Sequence, residues 1–132
     1  MAWKVERDTR TGFIHSVYSG IVSKDDFMAG MDEALRLAAG KGPQKFLTEW
    51  VNATATLSTM EIFVIPSEWK SRDVNKKSYL ALVVSKEKRK WEDAVFYENI
   101  CRNRGWQVRV FSDRNEAIAW LEKKKIVPGA NP

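Results

Sequence analysis

One histidine, one cysteine and a scatter of carboxylates set among lysines are what this 132-residue chain offers to catalysis. His15 sits in Phe13-Ile14-His15-Ser16-Val17-Tyr18-Ser19, an extended pattern, so a Ser-His-Asp triad would have to use it. No Gly-x-Ser-x-Gly elbow accompanies it, and a packed strand histidine is the expectation. Cys101 alone can form neither an internal disulfide nor a multi-thiolate metal site, and it reads as a small core residue of the third helix. The seven glycines never form Gly-x-Gly-x-x-Gly or a Walker loop. Gly40-Lys41-Gly42 follows a helix, the wrong end for cradling phosphate. Asn52-Ala53-Thr54 matches a glycosylation acceptor that a cytosolic chain would not use. The expectation is a protein without catalytic residues, cofactor or metal, hence not an enzyme.

Two constellations remain that could bind. Lys86-Glu87-Lys88-Arg89-Lys90 follows a buried strand and precedes or opens a helix, at the sheet edge where ligands of parallel α/β folds bind. Trp69 lies among Lys70, Arg72, Lys76 and Lys77, after the apolar run Ile62-Phe63-Val64-Ile65. Aromatic and basic residues together suit an amphiphile or a partner protein, although a tryptophan closing the core explains Trp69 as well. The reading is a groove between the 62–69 segment and the start of the third helix. Phe63, Trp69, Trp91 and Phe96 would lie near it, with Lys88 and Arg89 at its mouth to hold an acidic head.

These residues need a scaffold, and the pattern supplies one. Residues 3–8 and 13–19 alternate around the turn Thr9-Arg10-Thr11-Gly12, which makes a hairpin. Ser23-Lys24-Asp25-Asp26 opens a helix striped by Phe27, Met31, Ala34, Leu35 and Ala38, and Gly40-Lys41-Gly42-Pro43 ends it. Residues 45–51 form a third strand and 52–57 a polar loop. Ser58-Thr59-Met60-Glu61 caps a short helix that Pro66 should stop or restart. Tyr79-Leu80-Ala81-Leu82-Val83-Val84 has no charge and reads as a strand buried on both faces. The following helix should begin late, with Glu92 and Asp93 in its first turns, because basic residues are disfavoured at a helix N-terminus. It stops at Gly105. Trp106-Gln107-Val108-Arg109-Val110-Phe111 alternates as an edge strand, and Asp113-Arg114-Asn115-Glu116 caps the last helix, striped by Ala117, Ile118 and Leu121.

Length and a 44% hydrophobic composition with six tryptophans suit one core. A single domain over residues 1–127 with a frayed tail at 128–132 is expected. No stretch is apolar enough to span a bilayer and the start has no apolar run, so the expected location is cytoplasmic. The formal charge is +5, and 15 of 22 Lys and Arg but only 9 of 17 Asp and Glu lie from Ser67 onward. Acids interleave through that half, which favours a solvated surface over a nucleic-acid footprint.

The order strand, strand, helix, strand, helix, strand, helix, strand, helix resembles the STAS domain, the fold of sporulation anti-sigma-factor antagonists. It resembles in particular the SpoIIAA-like branch, sometimes grouped with Sec14-type lipid-binding domains. The resemblance rests on Tyr79-Leu80-Ala81-Leu82-Val83-Val84, on Asn103-Arg104-Gly105-Trp106-Gln107-Val108-Arg109-Val110-Phe111, on Asp113 with Glu116-Ala117-Ile118-Ala119-Trp120-Leu121, and on Tyr18-Ser19-Gly20 before the first helix. It implies an α/β domain with a five-stranded mixed sheet, an N-terminal hairpin and four helices in the order ββαβαβαβα. In phosphorylatable members the loop after the third strand carries an acid, then Ser or Thr, then a small residue and Gly. Here Asn52 stands for the acid, Ala53 takes the place of the hydroxyl and no glycine follows, which leaves Thr54, Thr56 and Ser58 as the nearby hydroxyls. The expected function is a binding or regulatory module for an apolar or amphiphilic ligand, a lipid among them, or for a protein partner. A phosphorylation-controlled regulator of the anti-sigma-factor-antagonist type is the alternative. A homodimer through an unpaired sheet edge is a further expectation.

Overall fold

The computed structural model describes residues 2–39 and 41–126; the tail expected at 128–132 and the boundary before it lie outside the described residues. Five strands form one sheet in the spatial order β1-β2-β3-β4-β5. β1 (Trp3–Arg7) runs antiparallel to β2 (Ile14–Val22), and β3 (Lys45–Ala55), β4 (Tyr79–Val83) and β5 (Gln107–Phe111) continue parallel to β2. The hairpin turns through Gly12 at φ 78°, and Arg7 fixes it by donating to Gly12 O at 2.8 Å and Leu37 O at 3.0 Å.

Helix ends follow local chemistry. α1 (Lys24–Ala38) is opened by a reciprocal capping box between Ser23 and Asp26, and α2 (Thr59–Ser71) by one between Ser58 and Glu61. At the end of α3 (Lys88–Asn103), the Trp106 N–H donates to Cys101 O at 3.0 Å and the Gly105 N–H to Arg102 O at 3.0 Å. Gly105 has φ 88°, so this is a Schellman motif that a side chain at 105 would strain. Asp113 accepts from the N–H groups of Asn115 and Glu116 to open α4 (Arg114–Lys123).

Three expectations change. β3 runs to Ala55 rather than 51, because β2 continues to Val22 and pairs with it: Ser19 lies opposite Asn52 and Val22 opposite Ala55. The register slips between Val17 and Ser19, so β3 bulges there and brings Trp50 and Ala53 to the same face. α2 passes through Pro66 unbroken; the proline is fully buried, and the lost N–H costs one helical bond rather than the helix. α3 begins among the basic residues, at Lys88, rather than after them, since the Glu87 carboxylate accepts from the Arg89 N–H at 3.2 Å and offsets the three basic residues that follow.

α1, α2 and α3 cover one face of the sheet and α4 the other. Under α4, Leu47, Ala81, Val83, Phe111, Ala117 and Leu121 make one cluster with Phe13. Under the three helices lies a larger one, which includes Met31, Ile65, Trp69, Leu82, Tyr97, Trp106 and Val108. Both sheet edges are short, five residues each, and Glu98 of α3 accepts the N–H of Val110 at 2.7 Å, which closes one position of the β5 edge to a further strand.

Candidate functional site

The alternation of β3 and β4 points Phe46, Thr48 and Trp50, and Leu80, Leu82 and Val84, at the underside of α2. α2 does not come down onto them. Trp69 stands edge-on to Trp106 at 5.3 Å and to Tyr97 at 5.9 Å, so three large rings lean on one another between helix and sheet. Arg72 pins the same end of α2, bonding Asp32 of α1 at 2.7 Å and Glu68 at 2.6 Å. What remains under the helix is a groove of about 310 Å³, at the lower end of the roughly 300–1,000 Å³ range of small-molecule sites. Phe27, Met31 and Leu35 of α1 form one wall, and Ala94 and Tyr97 of α3 the other.

The strands are parallel, so the groove has two chemically different ends. At the C-terminal edge it is bordered by Thr54, Leu57, Glu87, Arg89, Lys90 and Asp93. Among the described residues neither the Arg89 guanidinium nor the Lys90 ammonium has an ion-pair or hydrogen-bond partner. At the N-terminal edge lie Ser78, Gln107 and Val108, where polar groups are already committed. Ser78 Oγ accepts from the Gln44 N–H at 2.9 Å, and the Gln107 amide donates to the carbonyls of Lys76 and Ser78 at 3.3 Å.

The interior is neutral at ordinary pH. Burial raises the phenols of Tyr18 and Tyr97 above their usual value of 10.0, and burial pushes the Cys101 thiol up from 9.0 to about 12. Tyr18 stacks on Trp50 at 4.6 Å, with Phe27 tilted against both. Ser16, 4% exposed, and Thr48 are the hydroxyls on the floor.

Of the residues picked from sequence, Trp69 and Arg89 line this groove. Trp69 does so as a core residue, 8% exposed. Phe63, Lys88, Trp91 and Phe96 lie elsewhere. Helix phase is the reason: Phe96 is two residues on from Ala94, about 200° round α3, and Phe63 is turned away from Ile65 in the same way. Phe63 carries the Arg104 guanidinium 4.6 Å above its ring. The Lys88 side chain is 91% exposed and 4.0 Å from Glu92. Trp91 packs against the large cluster and faces a shallow cleft by Arg109 and Trp120. Sequence reasoning missed the α1 wall and the aromatic pair Tyr18 and Trp50. The signal was present, since Phe46, Thr48 and Trp50 alternate onto one face.

Thr54 and Thr56 are exposed, and Thr54 borders the groove. The Ser58 hydroxyl accepts from the Glu61 N–H at 3.1 Å, with the Glu61 carboxylate 2.9 Å from the Ser58 N–H. A phosphate on Ser58 would meet that carboxylate. On the opposite face, His15 Nε2 is hydrogen-bonded to Glu49 Oε2, which also accepts from Arg114 Nε at 3.2 Å. His15 is thus a packed strand histidine, held in a polar cluster between β2, β3 and α4. No helix among the described residues is long and apolar enough to cross a membrane.

No family model and no curated protein matches the chain. Among solved structures, it is similar to the crystal structure of an uncharacterized protein of the DUF3478 family with a SpoIIAA-like fold from Shewanella loihica PV-4. The match has a TM-score of 0.60 at 18% identity, over 91% of this chain and 92% of that one. Element order, sheet and helices agree with that fold.

Proposed function

We propose that this SpoIIAA-like domain is a non-enzymatic binding module whose ligand is an amphiphile with an acidic head. The observation that supports this is the groove's polarity. Apolar and aromatic side chains form nearly all of its interior, and two cations without partners among the described residues, Arg89 and Lys90, stand at one end. A buried apolar surface favours a hydrocarbon tail by about 25 cal/mol per Å². A guanidinium at the mouth suits a carboxylate, which it can hold by two parallel hydrogen bonds. Glu87 is held back from opposing the head by its role as the cap of α3.

Dodecanoate below its micelle concentration is the direct probe. Its binding should change the tryptophan emission, because Trp50, Trp69 and Trp106 border the groove. Arg89→Ala should weaken dodecanoate about tenfold or more and leave dodecanol nearly unchanged. Saturating dodecanoate with no change in emission, no heat of binding and no shift in melting temperature would remove the proposal.

A second reading, the phosphorylation-controlled regulator, draws support from Thr54, an exposed hydroxyl on the groove rim. Phosphate there would place negative charge where the acidic head is to sit. Intact-mass measurement of the protein from its own cells, showing or lacking about 80 Da at Thr54, Thr56 or Ser58, decides it.

A further inference from the structure

We propose that the groove measures its ligand: it takes one acyl chain of roughly ten to twelve carbons, head at the start of α3 and terminal methyl against Val108 and Gln107. This rests on the amphiphile reading above and adds orientation and length to it. Two independent measures agree on the size. The floor follows β4 from Tyr79 to Val84, five steps of about 3.3 Å or roughly 17 Å in all. An extended hydrocarbon advances about 1.25 Å per carbon, so that length takes about a dozen carbons once the head is allowed for. The volume of 310 Å³ gives about ten groups at the roughly 30 Å³ that a water-sized group fills in a liquid.

The far end has physical reasons to act as a stop. Ser78 Oγ accepts from the Gln44 N–H and the Gln107 NH2 group donates to the carbonyls of Lys76 and Ser78, so both side chains are tied to backbone and neither carries a charge to hold an acidic head. Trp106 closes beside them, 6% exposed, with the Lys76 ammonium 5.1 Å from its ring centre and bonded to Arg104 O at 2.9 Å. At the other end the Arg89 and Lys90 cations, without ion-pair partners among the described residues, attract an acidic head.

The test is a series of saturated fatty acids of eight to sixteen carbons, each below its micelle concentration, titrated into the full chain and read by calorimetry. Affinity should rise about fourfold per added methylene up to about twelve carbons and then level or fall. Leu80→Phe and, separately, Val74→Phe fill the far part of the groove from half-buried positions, so the fold should survive. Each should move the break to shorter chains by about two to four carbons. Arg89→Ala should lower every affinity by one common factor and leave the break where it was. A rise that continues unbroken to sixteen carbons, or a break that neither Phe variant moves, overturns the length inference while leaving the amphiphile reading standing. Absence of binding at every length removes the amphiphile reading itself.

Discussion

On β4 alone, Ala81 and Val83 point under α4 and are closed from solvent, whereas Leu80, next along the strand, points under α2 and is only half-buried beside the 310 Å³ groove. The α4 side sets Leu47, Ala81 and Val83 of the sheet directly against Ala117 and Leu121, with the rings of Phe13 and Phe111 in the same cluster. The α2 side carries more apolar mass, including the buried rings of Trp69, Tyr97 and Trp106, yet leaves space. Trp69 of α2 stands edge-on to both Tyr97 of α3 and Trp106 beside β5, so these three rings act as props between α2 and the sheet. A void of this kind arises from how large side chains brace each other, and a count of hydrophobic residues does not reveal it.

The contrast should be largest for a buried charge. Val83→Asp places a carboxylate in the closed face with no partner, at a cost comparable to the whole stability of a domain of this size, about 5–15 kcal/mol. No folded protein should be recovered. Leu80→Asp, directed into the groove where water can reach it, should give a folded protein by circular dichroism. An equally unfolded Leu80→Asp protein would mean the two faces are alike.

Alkaline pH should act on the groove side, where the groups with raised values lie. Tyr18, Tyr97 and Cys101 all ionise at higher pH in the folded protein than in the unfolded chain, by burial. A raised folded value means the stabilising, neutral form is complete below the unfolded value and is lost as pH climbs past it. Stability should therefore hold up to about pH 8. It should then fall by roughly 1.4 kcal/mol per pH unit per group, beginning near 9.0 for Cys101 and near 10.0 for the phenols. In urea titrations at pH 7 and pH 10.5, the midpoint should drop. Native Cys101 should resist iodoacetamide at pH 8 and react once unfolded.

Truncation sharpens the comparison at smaller cost. Leu121→Ala empties a fully enclosed position and should destabilise by about 3–5 kcal/mol, while Leu80→Ala only widens an existing groove and should cost about 1 kcal/mol. Chemical denaturation of both variants measures the difference. The same reasoning applies to Trp69→Ala. Its ring is a prop of the core, so the loss of stability, about 3–5 kcal/mol, should overshadow any loss of ligand affinity.

The nine elements and their order were legible because each carries a local signal: the Ser23 and Ser58 boxes, the Gly105 stop, the uncharged run from Tyr79. Their limits were less so wherever a tertiary partner decided them. β3 extends over Asn52-Ala53-Thr54-Ala55 only because β2 is there to pair with it, and the bulge that turns Ala53 inward has no signature in the sequence. α3 starts among lysines because one glutamate precedes them. For the groove, its neighbourhood of α2 and the start of α3 could be inferred from the excess of large apolar residues. Which of them face it depends on helix phase, and a shift of two residues separates Ala94, which lines it, from Phe96, which is 39% exposed.

The smallest expected effect lies where the groove face is tight. Gly30 is in the middle of α1 at a position that alanine would favour by about 1 kcal/mol on helix propensity alone. A methyl group there would overlap the Tyr18 hydroxyl and come within 2.9 Å of Cζ. Tyr18 is 2% exposed and held by its stack on Trp50, so its ring cannot swing toward solvent. The overpacking penalty, about 1–3 kcal/mol, should exceed the propensity gain, and Gly30→Ala should lower stability by about 1 kcal/mol in urea titration. Tyr18 also borders the groove, and that supplies the discriminating measurement. If Gly30→Ala is as stable as the parent or more so, the ring has moved into the void, and dodecanoate affinity should fall in the same variant. If stability falls while affinity holds, the aromatic trio of Tyr18, Phe27 and Trp50 is a fixed wall and the open space begins beyond it.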